Sequence, residues 1–158
     1  MTRKEKAMAY FRQGYNCAQA VVLAFADLTD MDEATLSRMS CSFGGGMGRL
    51  REVCGTVTGM FLVTGLLRGY DGAETGEVKA AHYARIQALA KEFEKQNGSI
   101  VCRELLALRQ KHRDDPTPEA RTEAYYAGRP CAELVGNAAE ILENYLAIDS
   151  GDIHGGKC

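Results

Sequence analysis

The sequence contains no tryptophan, only 3 prolines, and no apolar run long enough to cross a membrane. Its longest uncharged stretch, residues 53–67, is shorter than the ~20 residues that a membrane-spanning helix needs. The first residues carry basic side chains but lack the apolar segment of a secretory signal. We therefore expect a cytoplasmic protein with no membrane insertion.

Neither sign of charge dominates the chain. The 19 basic and 21 acidic side chains are interspersed and give a formal net charge of −2. Because a nucleic-acid-binding protein usually presents a basic stripe, nucleic acid is not an expected partner.

Nucleotide-binding motifs are missing as well. The glycine-rich stretch 43–48 is followed by Arg49 rather than by the Lys-Ser/Thr of a phosphate-binding loop. A dinucleotide-binding motif needs a preceding strand, whereas the residues before Phe43 are typical of a helix. We expect no nucleotide cofactor, and we interpret residues 43–48 as a loop that forms one wall or a lid of a site.

Strand-like alternation is absent, and hydrophobic periodicity predicts helices along almost the whole chain. Short connections favour an all-α fold, a single-domain antiparallel bundle of about seven to eight helices over residues 1–148. A flexible C-terminal tail is predicted at 149–158. The helix predicted over residues 53–67 is apolar on all sides and should be the buried centre of the bundle. Its small residues Gly55, Gly59 and the pair Thr64/Gly65 would let other helices approach closely.

Capping residues predict the helix boundaries. Thr2 with Glu5 fits a capping box, Asn16 fits an N-cap, and a third helix can start from Asp30 and Glu33. A long amphipathic helix, with Val78, Ile86, Leu89 and Phe93 on its apolar face, should stop at Asn97-Gly98. The later helix starts are expected at Ser99, at Thr117-Pro118 and at Pro130.

The six cysteines form no CxxC pair, which excludes a thioredoxin motif, a classical zinc ribbon and covalent haem attachment. Four of them stand at the start of a predicted helix: Cys17, Cys54, Cys102 and Cys131. The first turn of a helix has unpaired N–H groups and a partial positive charge, which favour a thiolate and lower the thiol pKa. Cys41 falls near a helix end, and Cys158 is the last residue of the sequence.

The segments around these four cysteines resemble a known family. "GYNCAQAVVLAF", "CGTVTG", "VCRELL" and "PCAELV" are similar to the C_GCAxxG_C_C family of putative redox-active proteins, over roughly residues 8–146. Cys54, Gly55 and Gly59 match its CGAxxG motif, where Thr56 replaces the alanine and adds a hydroxyl beside the thiol. The resemblance implies a redox site formed by Cys17, Cys54, Cys102 and Cys131, with Gly55 and Gly59 making room for a bound group. It assigns no role to Cys41 or Cys158.

Three functions remain open on these residues. The four thiolates could converge on an iron–sulfur cluster or an iron site that transfers electrons to a partner protein or a small donor or acceptor. A low-pKa Cys54 or Cys17 could instead carry out thiol–disulfide or peroxide chemistry. A structural zinc site, or a helical interaction module, is the third alternative.

Other properties are left open by the sequence. The protein could be an oxidoreductase or an electron carrier, and a homodimer is compatible with its long apolar helix. Arg49 and Arg51 could attract an anionic substrate or balance the charge of a cluster, or they could be solvated at the surface.

Overall fold

The computed structural model describes residues 1–107 and 115–152, and for residues 148–152 only the backbone. The described chain is all-α, as the sequence predicted, and Val53 and Val101 form an isolated antiparallel bridge. Two 3₁₀ turns occupy Ala26–Leu28 and Cys41–Phe43. The helices are α1 Arg3–Arg12, α2 Cys17–Leu23, α3 Glu33–Ser40, α4 Gly44–Met47, α5 Gly55–Arg68, α6 Gly76–Asn97, α7 Cys102–Leu105, α8 Glu123–Gly128 and α9 Cys131–Asp152.

Helix α2 lies at the centre of the bundle, where α1, α3, α5 and α9 all pack against it. The expectation that the apolar helix α5 is buried on all sides holds for its first half only. Residues 55–60 are buried, but Leu66 near the C-terminal end is 41% exposed. No helix in the described ranges is both long and apolar enough to span a bilayer.

Two glycines of α5 allow the close approach that the sequence predicted. A Cβ atom on Gly55 would lie 2.4 Å from the Cys17 sulfur, and one on Gly59 would lie 2.9 Å from the Val21 Cβ. The same prediction is wrong for Gly65, where an added Cβ would meet nothing within 4 Å. The α2–α5 contact is therefore closest at the N-terminal half of α5.

The N-terminal caps follow the sequence closely. Thr2 and Glu5 form the predicted capping box, and Asn16 forms a second one with Gln19. The cap of the third helix lies two residues later than expected, because the side chain of Asp32 rather than that of Asp30 accepts the N-cap hydrogen bond. Gly98 ends α6 with a φ of 93°, a left-handed conformation that glycine adopts without strain.

The sequence prediction fails mainly between residues 99 and 122. Ser99 does not cap a long helix: α7 is a single turn, and the Ser99 hydroxyl instead donates to the Glu104 carboxylate. Residues 108–110 of that predicted helix lie outside the described residues. The helix expected at Pro118 begins only at Glu123, where Thr122 is the cap.

The two long helices also differ from expectation at one end. Val78, assigned to the apolar face of α6, is 40% exposed, whereas Leu89 and Phe93 are buried as predicted. Helix α9 opens after Pro130, buries Val135, Ala138, Leu142 and Leu146, and extends to Asp152. The rest of the predicted tail, including Cys158, lies outside the described residues.

The glycine-rich stretch is a tight turn rather than an open loop. All residues from 45 to 49 have positive φ, a conformation that costs about 1–2 kcal/mol for each non-glycine residue. Residues 51 and 52, which follow the turn closely, are joined to α7 by backbone hydrogen bonds. One of these, from the Cys102 N–H to the Glu52 carbonyl, measures 2.6 Å. At Gly46 a Cβ atom would lie 2.6 Å from the Cys102 Cβ, so the turn can pack this closely only with glycine there.

Candidate functional site

Four cysteines that are far apart in the sequence line one cavity of about 60 Å³. Cys17, Cys102 and Cys131 are the first residues of α2, α7 and α9, and Cys54 is the N-cap residue of α5. The predicted placement of these cysteines at helix starts is therefore confirmed. What the sequence alone could not show is that the four helix starts meet.

Local backbone pairing fixes two of the four cysteines relative to each other. Cys54 and Cys102 each directly follow one residue of the Val53–Val101 bridge. The Cys54 N–H donates to the Ile100 carbonyl over 2.8 Å, and the Cys102 N–H donates to Glu52. The bridge therefore holds the start of α5 beside the start of α7.

Three of the sulfur atoms have polar neighbours. The Gly45 N–H donates a hydrogen bond to the Cys17 sulfur. The Thr56 hydroxyl lies 3.1 Å from the Cys54 sulfur, as the substitution in the CGAxxG motif suggested. Nη1 of Arg51 donates to the Cys102 sulfur over 3.7 Å. Hydrogen bonds of this kind stabilise negative charge on sulfur and tune the reduction potential of a sulfur-ligated centre.

Burial has a larger effect on the pKa of these thiols than their position at helix starts. The expectation of lowered pKa values is wrong for Cys17, Cys54 and Cys131. Removal from water raises the pKa of Cys17 and Cys54, and it raises the pKa of Cys131 to about 11. The neighbouring thiols raise these values further, while Arg129 and Arg121 act in the opposite direction on Cys131. As free thiols, these three groups are protonated at neutral pH.

Three arginines share the cavity with the cysteines. Arg51 is only 4% exposed, so the surface-solvated alternative for this residue is wrong. Arg121 and Arg129 are functional candidates that the sequence did not reveal: Arg129 lies two residues before Cys131 without being part of the PCAELV segment, and no motif connects Arg121 to the cysteines. Residues that complete the lining include Phe11, Asn16, Gly45, Leu105, Leu106, Tyr125 and Leu134.

The remaining candidates lie outside the cavity lining. Gly55 packs closely against Cys17 without lining the cavity, and Gly59 packs against α2. The role of both glycines in the structure is therefore close helix packing. Cys41 is exposed at the C-terminal end of α3.

A metal or cluster can be tested against this arrangement. Among the side chains of residues 1–107 and 115–147, no three His, Cys, Asp or Glu residues are grouped so that they could hold a metal ion. The side chains nevertheless have the chemistry of an iron–sulfur site. Four thiols line one cavity, and Arg51 and Thr56 make hydrogen bonds to the sulfur atoms of Cys102 and Cys54. The four cysteines therefore supply the ligand type of a cluster, but their side chains are not grouped closely enough in this structure to hold a metal ion.

The fold and the cavity define an all-helical protein with a buried four-cysteine site. The chain belongs to the family described as "Putative redox-active protein (C_GCAxxG_C_C)", whose model matches residues 15–145 and thus includes all four cysteines. No curated protein and no solved structure matches the chain.

Proposed function

We propose that the four-cysteine cavity is the redox centre of this protein. The observation that carries the proposal is that four thiols from four separate helix starts line one cavity of about 60 Å³. Buried cysteines commonly serve as small apolar fillers, but such packing gives no reason for four of them to meet at one space that three arginines also line. Either form of the centre described below requires an electron donor or acceptor outside the chain.

The first form is an iron–sulfur centre that transfers electrons. Cys17, Cys54, Cys102 and Cys131 would hold the cluster, and the cluster would supply one-electron chemistry. In this form the chain's own groups have distinct tasks. Gly45, Thr56 and Arg51 provide hydrogen bonds to the cysteine sulfurs, and the surrounding apolar side chains exclude water. The buried arginines offset negative charge on the ligated sulfurs.

The second form is a dithiol–disulfide centre without metal. It is favoured by the finding that no three His, Cys, Asp or Glu residues among the described side chains are grouped so that they could hold a metal ion. Two thiols would give two electrons and two protons to a disulfide or quinone-type acceptor and form one S–S bond; a donor would reverse the step. Because the reactive form is the thiolate, the raised pKa values predict slow reaction with general alkylating reagents at neutral pH.

The deciding experiment compares the protein with two variants after anaerobic purification from iron-replete cells. Iron, zinc, acid-labile sulfide and the visible spectrum are measured for the wild-type chain, for Cys131→Ser and for the matched control Cys41→Ser. The cluster form predicts iron and sulfide in the wild type and the control, and their loss in Cys131→Ser.

The other outcomes are equally distinct. Iron-free protein whose mass falls by two hydrogens on oxidation, and recovers on reduction, supports the dithiol form. Stoichiometric zinc without any redox response would instead indicate a structural metal site. Protein that binds no metal and shows no oxidation-dependent change in its thiols would contradict the proposal as a whole.

A further inference from the structure

A cleft of about 260 Å³ adjoins the cysteine cavity and is lined by four arginines, Arg49, Arg51, Arg121 and Arg129. Glu119 supplies the one carboxylate among the described residues that line this cleft. We call this space the arginine cleft. Six residues line both spaces, namely Asn16, Gly45, Arg51, Arg121, Tyr125 and Arg129. The two spaces therefore share a wall, and a molecule in the arginine cleft lies next to the cysteines.

The four guanidinium groups are only partly satisfied by the protein. Arg129 forms an ion pair with Glu119, and Arg49 donates to the Asp115 carbonyl over 2.9 Å. Arg121 donates through Nη2 to the Tyr15 carbonyl over 3.3 Å. The described residues that line the cleft therefore include four arginines and one carboxylate, and these bonds of Arg49 and Arg121 go to backbone carbonyls rather than to carboxylates.

Two buried donor atoms of the cleft arginines have no hydrogen-bond acceptor in the part of the chain that the structure describes. They are Nε of Arg51 and Nη1 of Arg121. Arg51 is 4% exposed, so bulk water cannot reach most of its side chain. An unpaired buried donor on a charged group is costly, and almost all such atoms in folded proteins find a partner. An acceptor supplied by a bound molecule would satisfy both atoms.

Aromatic rings hold the cleft's cations in place. The Arg121 guanidinium lies 4.5 Å from the ring centre of Phe11 and 5.0 Å from that of Tyr125. The Arg129 guanidinium also lies 5.0 Å from the Tyr125 ring centre. Stacking restricts the planes of these groups before any ligand binds, which reduces the entropy that binding would otherwise cost.

We infer that the arginine cleft binds the oxyanion group of a small molecule, such as a phosphate, sulfate or carboxylate group, and holds that molecule beside the cysteine cavity. Guanidinium groups bind such oxyanions through paired, charge-assisted hydrogen bonds. Binding of the oxyanion stands on the cleft itself. The further statement that the bound molecule exchanges electrons with the cysteines rests on the proposed redox function.

The test measures binding of inorganic phosphate and of sulfate to the reduced full-length chain by calorimetry. The substitutions are Arg121→Gln and Arg51→Lys, the second of which keeps the charge but removes the forked donor group. Arg38→Gln is the control, since Arg38 is exposed and lines neither the cleft nor the cavity. We expect both cleft variants to bind about tenfold more weakly or worse, and the control to bind as the wild type does.

Three results would overturn the inference: no phosphate or sulfate binding by the wild type, equal competition by chloride at the same ionic strength, or unchanged affinity in folded Arg121→Gln protein. Equal competition by chloride would point to a general docking surface for an acidic protein. Far-UV circular dichroism verifies that each variant is folded. Iron, sulfide and thiol oxidation are measured on the same samples, so loss of oxyanion binding and failure of the redox proposal are separately visible.

Discussion

At the scale of single residues, the cavity shows two opposing effects on a cysteine. A helix start stabilises the thiolate, but removal from water destabilises it, and the raised pKa values of Cys17, Cys54 and Cys131 show which effect is larger. The sequence reveals the position of a cysteine relative to a helix. It does not reveal how deeply the finished bundle buries it, and the expected pKa direction was wrong for that reason.

The raised pKa of Cys131 predicts a loss of stability at high pH. Its thiol titrates near 11 in the folded protein and near 9 when unperturbed, so between these values the unfolded chain releases the proton first. For metal-free, reduced protein, the free energy of unfolding should therefore fall by about 1.4 kcal/mol per pH unit for this one thiol as pH rises from 9 to 11. Urea unfolding at several pH values should show a smaller decrease for Cys131→Ala than for the wild type. An identical decrease in both proteins would contradict the assignment.

The residues that could not be predicted at this scale are the arginines. Arg51 follows the glycine-rich stretch closely, and the sequence offers it as a candidate for binding anionic charge. Arg129 lies two residues before Cys131 and Arg121 lies in a segment with no recognisable motif, and the tertiary packing brings both to the cavity that Cys17 and Cys54 line. Their role depends on tertiary structure, which no local pattern encodes.

At the scale of elements, the contact between α2 and α5 determines how the cysteines meet. Gly55 lets the start of α5 approach Cys17 so closely that a methyl group would not fit. The CGAxxG-like motif therefore has a packing function in addition to providing a thiol. The glycine is as necessary to the shape of the cavity wall as the cysteine before it.

Two glycine substitutions in α5 separate this packing effect from helix propensity. Gly55→Ala places a Cβ 2.4 Å from the Cys17 sulfur and 2.8 Å from the Phe43 carbonyl oxygen, so we expect a loss of about 1–3 kcal/mol in unfolding free energy. Gly65→Ala is the matched control: the site is exposed and helical and has no atom within 4 Å of the added Cβ. It should stabilise the protein by about 0.5–1 kcal/mol. Chemical denaturation measures both values, and a stabilising Gly55→Ala would refute the close approach.

Helix boundaries were predictable where a local signal agrees with the tertiary contacts. The capping residues Thr2 and Asn16 and the terminator Gly98 act within a few residues of chain, and the structure confirms all three. Between residues 99 and 122 the decisive contacts are long-range. The backbone of Cys102 pairs with Glu52, so the chain near Ser99 bonds to the start of α5 instead of continuing a helix. The sequence predicted a cap at Thr117, whereas Thr122 caps α8 in the structure.

At the scale of the whole molecule, the site is a product of the complete bundle. Its cysteines come from α2, α5, α7 and α9, and α9 also packs against α1, α2, α5 and α6. No single segment holds enough of the lining to form the cavity alone. The thiols should therefore become accessible together when the bundle unfolds.

Alkylation kinetics test this cooperativity. In metal-free, reduced protein of a Cys158→Ser background, we expect Cys41, which is exposed, to react first under native conditions. Cys17, Cys54, Cys102 and Cys131 should react slowly and become modified over the same range of urea concentration in which helical circular dichroism is lost. Peptide mass spectrometry identifies each site. A cavity cysteine that reacts as fast as Cys41 in native buffer would show that the cavity opens locally.

The wide spacing of the four cysteines also sets the order of events during biosynthesis. Cys131 is translated last of the four, and it begins the helix against which α1 packs. The first three thiols therefore leave the ribosome while one wall of their cavity has not yet been made. In the redox centre that we propose, delivery of iron and sulfide, or oxidation of the thiols, would therefore act on a chain whose last long helix has already been synthesised.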